Sequence, residues 1–456
     1  MLIKKRTFIF LCLILMFSAF LRLPSFWIPH WGGDQTQYIS LALKLKTTGL
    51  AGYNFYKIKF TEQALKNNDN LRSIETSLYP ENVKGDLIRD LKLSGFGYYD
   101  VPFFYKPPLF AYTLMLSNYI FSSLPENNKQ VLAVMPNYTK NKALMKNPST
   151  KTVPEIQFWS AIIPFTFSLG LVLLTFLLGS YVFSDKVGLL SALILSTSAV
   201  DILCSQKIWP EETLAFFCLL SVYWFFVGLK RERNLYFLLS GISCALAILT
   251  KQTALILYIA LLGCLVLKYI NTKKNILIQP PFWLFFIGVF SLSFFWFYKI
   301  YITYGNWLYH PIYNAPIDTS LRWNAVLNKR PYGLVLFFIG TLFICPLINV
   351  CFLKIKTFFK DLWSFIVGRK IDPSSIFLWV IILCFLIAFP YNKEHRRWLQ
   401  IYPLLAILSA SLLINSKFLN THKNLLYIIV SFSCIWSSYI GFETVQQLCN
   451  LILFPF

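Results

Sequence analysis

Two charged side chains frame the chemistry this chain could do. Asp34, in Gly32-Gly33-Asp34-Gln35-Thr36-Gln37-Tyr38, follows the first apolar segment. Lys106, in Tyr105-Lys106-Pro107-Pro108-Leu109, opens a later one. A carboxylate and a lysine at one membrane face suit a substrate that is part lipid and part phosphate. The acid can take a hydroxyl proton, and the cation can carry a departing phosphate. Each residue also has a plainer reading. Asp34 is well placed to cap the helix that follows, at that helix's positive end, and an acid can cap and still act as a base. Lys106 can lay its stem along apolar surface and hold its ammonium in water. The two prolines extend the backbone and then permit a helix start, which leaves Lys106 at an entrance where phosphate can dock. Tyr38 falls one helical turn after the acid.

Further along, Glu211-Glu212 follows Lys207-Ile208-Trp209-Pro210 and opens an apolar run. Acids in the first turn of a span suit the helix dipole, yet carboxylates tucked between spans are costly and usually functional. Lys251, in Leu249-Thr250-Lys251-Gln252, interrupts the apolar run from Leu235 to Leu267. Run length predicts two short spans joined by a tight turn with the lysine at its tip, where it binds phosphate or merely marks the turn. Arg396 and Arg397 offer guanidinium forks that fit phosphate; a solvated loop is the alternative. Three of the four histidines (His30, His310, His395) fall in the same set of loops. Short-spaced His/Cys pairs are lacking, which argues against a metal site. The residues imply no cofactor; a divalent metal is the one helper left open.

The elements that must position these groups are apolar. Of 456 residues, 56% are hydrophobic and only 14% charged, and mean hydropathy is +0.57. Soluble domains carry about 25% charged residues, so the expected class is an all-α polytopic membrane protein. The net charge of +22 is accounted for by Lys and Arg in loops that anchor spans and meet anionic headgroups. No basic stripe lies on a polar domain, which argues against nucleic acid. All ten cysteines lie in or beside apolar segments, so they read as small apolar side chains rather than a disulfide framework. Lys4-Lys5-Arg6 followed by an apolar run ending at Leu21-Arg22-Leu23-Pro24 reads as a retained signal anchor, since no small-x-small cleavage site follows.

About eleven spans of roughly 20 residues are expected, near 7–23, 156–183, 187–203, 213–229, 235–249, 253–268, 281–298, 332–351, 376–390, 399–415 and 425–441. A long first extracytoplasmic loop, 24–155, carries interfacial helices at Asp34 to Lys46 and Glu62 to Lys66. The domain division is 1–350 as the catalytic module and 351–456 as carboxy-terminal helices. Pro108 to Leu124 decides the topology. If it lies at the interface rather than spanning, nearly every short inside loop is basic, including Lys230-Arg231-Glu232-Arg233. That choice puts Asp34, Lys106, Lys207, Glu211, Glu212, Lys251, Arg396 and Arg397 on one side, a gathering that did not enter the topology count.

At this point the residues resemble the polyprenyl-phosphate-sugar glycosyltransferases of the GT-C class, which include protein O-mannosyltransferases and lipid A aminoarabinose transferases. Five blocks are similar, in the family's order: Asp34 to Tyr38, Tyr105 to Phe110, Ser205 to Phe217, Gly241 to Lys251 and Arg396 to Leu405. Two departures stand out. Gln35 occupies a position where the family commonly has Glu, and Glu211 one where it commonly has Asp.

The resemblance implies a GT-C-like fold and inverting transfer of a sugar from a polyprenyl-phosphate donor to an acceptor hydroxyl of lipid, glycan or protein, at the extracytoplasmic face. Such a phosphate leaves without a general acid, unlike an ordinary glycoside. Asp34 is then the expected base. Glu211 orients the acceptor or a cation. Tyr38, Tyr105, Lys106, Lys251, Arg396 and Arg397 are the expected substrate-binding residues. The chain's end at Phe454-Pro455-Phe456, without a retrieval signal, suggests a bacterial plasma (inner) membrane. The rivals are a transporter or flippase of lipid-linked sugars, and a glycan polymerase or ligase using a pyrophosphate-linked donor.

Overall fold

A computed structural model describes residues 4–27, 35, 38–39, 41–42, 45–46, 49, 106–121, 155–304, 307, 337–342, 345–369, 371–388, 395–416 and 421–453. Every regular element among them is helical. The chain forms α1 (Lys5–Arg22), α2 (Pro108–Phe121), α3 (Glu155–Val182), α4 (Asp185–Ser196), α5 (Ala199–Ser205), α6 (Glu211–Arg231) and α7 (Asn234–Thr250). It continues with α8 (Leu255–Asn271), α9 (Pro280–Tyr304), α10 (Ile355–Ile366), α11 (Ser374–Ala388), α12 (Tyr402–Asn415) and α13 (Lys423–Leu453).

Six of these helices are long and apolar enough to cross a membrane, or seven if α4 and α5, bent by 62° at their junction, are taken as one broken span. The expected span 187–203 is therefore not straight: Ser191, Ser196 and Thr197 turn their hydroxyls onto carbonyls of the preceding turn, which competes with helix continuation at that point. The expected span 332–351 also departs from a continuous helix. Its described part is helical over 337–342 and then 3₁₀ over Pro346–Lys354, with Pro346 unable to extend the α ladder. The shorter apolar helices α7, α11 and α12 coincide with expected spans. The fourteen described residues of α2, at about 1.5 Å rise per residue, cover less than a hydrocarbon core about 30 Å thick. It lies along the start of α3, with Ser117 donating to Trp159 O at 2.6 Å and Asn118 to Ser160 Oγ at 2.9 Å. The proposed helix at Glu62 to Lys66 lies outside the described residues.

Neighbouring helices are tied by small or polar side chains. Ser221 and Ser240 exchange hydroxyl-to-carbonyl bonds between α6 and α7, each 2.8 Å. In a bilayer, such groups must find partners inside the protein. Where α7 crosses α9, a Cβ on Gly288 would sit 2.6 Å from Leu238 O and 3.0 Å from the Gly241 Cα. Only glycine permits that approach. The nine described cysteines are free thiols, most of them buried.

These crossings give the bundle two polar ends. One holds the start of α6, the α7–α8 turn and the 395–398 segment. The other holds the α3–α4 turn, Lys230 to Arg233, the end of α8, and α10.

Candidate active site

The first of those ends is where the chemistry-bearing residues meet. Pro210 sets the start of α6, and Glu211 and Glu212 fill its first turn. Their charge there suits the positive pole of the helix. Across from it, α7 ends at Thr250 and Lys251 takes an extended conformation (φ −158°, ψ 130°) before a 3₁₀ turn leads into α8. This is the tight turn expected from run length, and it aims the lysine at the acid: Lys251 Nζ lies 2.9 Å from Glu211 Oε1. The Glu211 side chain is 1% exposed and the lysine's 28%, so the carboxylate depends on the pair more than the ammonium does. Glu211 Oε2 is buried and meets no donor among the described residues.

Lys106 is buried, with Nζ 4.2 Å from the centre of the Tyr38 ring, a cation–π geometry. The same ring packs edge-on against Phe110. One turn before Tyr38, the buried Gln35 accepts a hydrogen bond from Ile208 N at 3.2 Å. This joins the Tyr38–Lys106 pair to the segment that leads into Glu211. Arg396 lies over Trp209, 4.4 Å from the ring centre, and so belongs to the same region. Arg397 is its neighbour in the 3₁₀ turn His395–Trp398. Asp34 and Tyr105 lie outside the described residues. Gln35 is Asp34's chain neighbour, and Lys106 is Tyr105's.

Beside this group lies a charged cluster that the sequence reading missed. Arg22, at the end of α1, is fully buried and paired with Asp201 of α5. Its Nε donates to Ser168 Oγ at 2.6 Å, and Nη1 to the carbonyls of Ser18 (2.9 Å) and Ser196 (3.0 Å). Glu212 is buried close to this pair, and neither of its carboxylate oxygens meets a donor among the described residues. The sequence did carry a signal: Arg22 and Asp201 are among the charges embedded in apolar runs, and such residues are functional or paired by default. What it did not show is that they meet.

His395 sits apart from the cluster, half-buried, with Nδ1 3.2 Å from the Tyr402 hydroxyl. Burial pulls its pKa below the usual histidine value of 6.5. Among the described residues, no group of three His, Cys, Asp or Glu side chains is placed to hold a metal ion.

Comparison with known proteins bears on the fold. A family model described as dolichyl-phosphate-mannose-protein mannosyltransferase matches residues 152–298, the stretch that contains Glu211 and Lys251. ArnT from Cupriavidus metallidurans, in a structure bound to undecaprenyl phosphate, superposes with a TM-score of 0.55 at 13% identity, covering 98% of this chain and 72% of that one. The oligosaccharyltransferase AglB of Archaeoglobus fulgidus, with an inhibitory peptide and a dolichol-phosphate, superposes equally, TM-score 0.55 at 13% identity, over 98% of this chain and 56% of that one. The fold is GT-C. In sequence, an uncharacterized protein of Aquifex aeolicus is 27% identical over 292 residues, 62% of this chain. The chain spans about half the length of that relative, 55%. The chain is thus a multi-pass membrane protein of this fold, with Lys106, Glu211, Lys251 and Arg396 at one end of the bundle.

Proposed function

We propose that this chain is a membrane glycosyltransferase that moves a sugar from a polyprenyl-phosphate donor to an acceptor hydroxyl, with inversion, at the extracytoplasmic face of a plasma (inner) membrane. The observation that carries this reading is the convergence of Lys106, Tyr38, Glu211, Lys251 and Arg396 at one end of a GT-C bundle, through the Gln35–Ile208 and Arg396–Trp209 contacts. Its support is the bound lipids of the two neighbours, an undecaprenyl phosphate and a dolichol-phosphate, together with the mannosyltransferase description of the matching family model.

In this reading Asp34 takes the acceptor hydroxyl proton while the anomeric carbon–oxygen bond to phosphate breaks. The polyprenyl phosphate leaves as an anion and needs a cation rather than an acid. Lys106, buried against Tyr38, supplies it, with Arg396 and Arg397 nearby. Unit charges about 4 Å apart at an effective dielectric near 20 interact by about 4 kcal/mol before desolvation, and roughly 1.4 kcal/mol is tenfold in rate. Lys251 takes a different part from the one its sequence suggests. Its ammonium is committed to Glu211, so it holds that carboxylate in place and only shares in phosphate binding. The free edge of Glu211, Oε2, then orients the acceptor. Tyr105, the chain neighbour of Lys106, is assigned to donor binding from its sequence position alone. The side of the membrane is read from the opposite end of the bundle, where Lys230, Arg231, Arg233, Lys273, Lys274, Lys354, Lys356 and Lys360 gather, as expected of a cytosolic face.

The test is purified full-length protein given synthetic polyprenyl-monophosphate sugars, with release of polyprenyl phosphate and formation of a new glycosidic bond both measured. Asp34→Asn and Lys106→Ala are each expected to lower transfer at least a hundredfold at normal abundance. Near-normal transfer by either removes the role given to that residue. Transbilayer movement of labelled lipid with no new bond supports the flippase, and turnover of pyrophosphate donors alone supports the polymerase or ligase.

A further inference from the structure

The helix α10 sits at the end of the bundle away from the candidate active site. Asn271, the last residue of α8, donates to Phe365 O of α10 at 2.6 Å, whereas the other end of α8 follows the Lys251 turn. One face of α10 is anchored: Phe358 and Phe365 are buried, and Phe358 lies against Trp379 of α11. Its outer face mixes two chemistries. Phe359, Trp363 and Val367 are exposed by 59%, 68% and 58%, and Leu353 just ahead of the helix by 82%. Between them, on the same side, stand the exposed Lys356 and Lys360.

A water-facing helix has no use for an open Phe and Trp, and a helix facing hydrocarbon has none for two lysines. Both belong only at the headgroup layer, where aromatic rings sit at the boundary and lysine stems lie along apolar surface with the ammonium among phosphates. A twelve-residue helix cannot cross the bilayer, being about 18 Å long at 1.5 Å per residue, but it can lie in that plane. Beside it opens a cavity of about 380 Å³ whose lining includes Lys354, Thr357, Lys360, Asp361, Ser375 and Ser411. Two lysines there outweigh one aspartate, hydroxyls add donors, and apolar side chains such as Phe183, Trp379 and Leu412 form the rest of the wall. This is a lining for a phosphodiester, with acyl chains free to run down the exposed apolar side of the helix.

We propose that α10 is an interfacial helix that binds anionic phospholipid, with the phosphate seated between Lys354 and Lys360. The site is independent of the glycosyltransferase reading, because it uses none of that site's residues and lies at the other end of the molecule. It makes the packing of α10 on α8 and α11 responsive to the charge of the surrounding leaflet.

Native mass spectrometry of the full-length protein, released from detergent with added phosphatidylglycerol or phosphatidylcholine, tests this. Wild type is expected to retain phosphatidylglycerol at least fivefold over phosphatidylcholine. The double variant Lys354→Gln/Lys360→Gln is expected to lose that preference, since each lysine near an anionic surface contributes about 1 kcal/mol, or about fivefold. Raising salt on the wild-type protein should reduce the preference in the same direction, which keeps the test open if the variant folds poorly. Equal retention of the two lipids by wild type, a preference untouched in the folded variant, or one insensitive to salt overturns the proposal.

Discussion

The two ends of this bundle spend their charges differently. At the end that holds the α6 start, Arg22, Asp201, Glu211 and Glu212 are almost fully buried; Arg22 pairs with Asp201, Ser168 donates to Asp201, and Lys251 holds one oxygen of Glu211. At the end that holds α10, Lys354, Lys356, Lys360 and Arg369 are exposed. A buried charge is stable only with its partner in place, while an exposed one is held by water and headgroups whether or not a partner is present. The first end is therefore a place where geometry is enforced, and the second a place where total charge is what counts.

The comparison breaks most visibly at Arg22. Arg22→Met leaves the Asp201 and Glu212 carboxyls without their cation and is expected to cost about 3–5 kcal/mol, read as a lower thermal midpoint in detergent. Pairing it with Asp201→Leu should recover much of that loss, because an apolar replacement of both partners removes the orphan charge. Next in size, Lys251→Ala, Glu211→Gln and their double variant form a cycle whose coupling is expected at about 1–3 kcal/mol. Additive effects would show that the 2.9 Å contact carries no energy.

His395 sharpens the contrast through pH. Burial lowers its pKa, so it is neutral in the fold and takes up a proton more readily once unfolded. Below its ordinary value of about 6.5 the unfolded state binds more protons. Stability therefore falls as pH drops through that value and levels off once the folded group is protonated too. Unfolding midpoints of wild type and His395→Gln, measured across that range, should diverge at neutral pH and converge in acid. The smallest effect is expected at the exposed end. Lys230 donates to the carbonyls of Tyr181 and Val182, at 2.6 and 3.2 Å, at the negative pole of α3, and Lys230→Met should cost about 0.3–1 kcal/mol.

Much of this was legible without the fold. Apolar run length alone located α6 to α9 within a few residues and put Lys251 at the tip of a two-helix turn, because the cost of leaving backbone unpaired in hydrocarbon allows little other than helices. Loop chemistry alone separated basic from mixed ends, since that sorting depends on local composition. The break between α4 and α5, and the 3₁₀ path over Pro346–Lys354, were not legible, because hydropathy cannot distinguish a straight span from a bent one of equal length.

What the sequence by itself determined is the class of molecule and the inventory of reactive side chains at each end. Tertiary structure alone decided who pairs with whom. It gave Lys251 to Glu211, Arg22 to Asp201 and Lys106 to the Tyr38 ring, partners far apart in the chain. The reason is physical: ion pairing and cation–π contact act over a few ångströms, and only the packing of helices brings such distant residues that close.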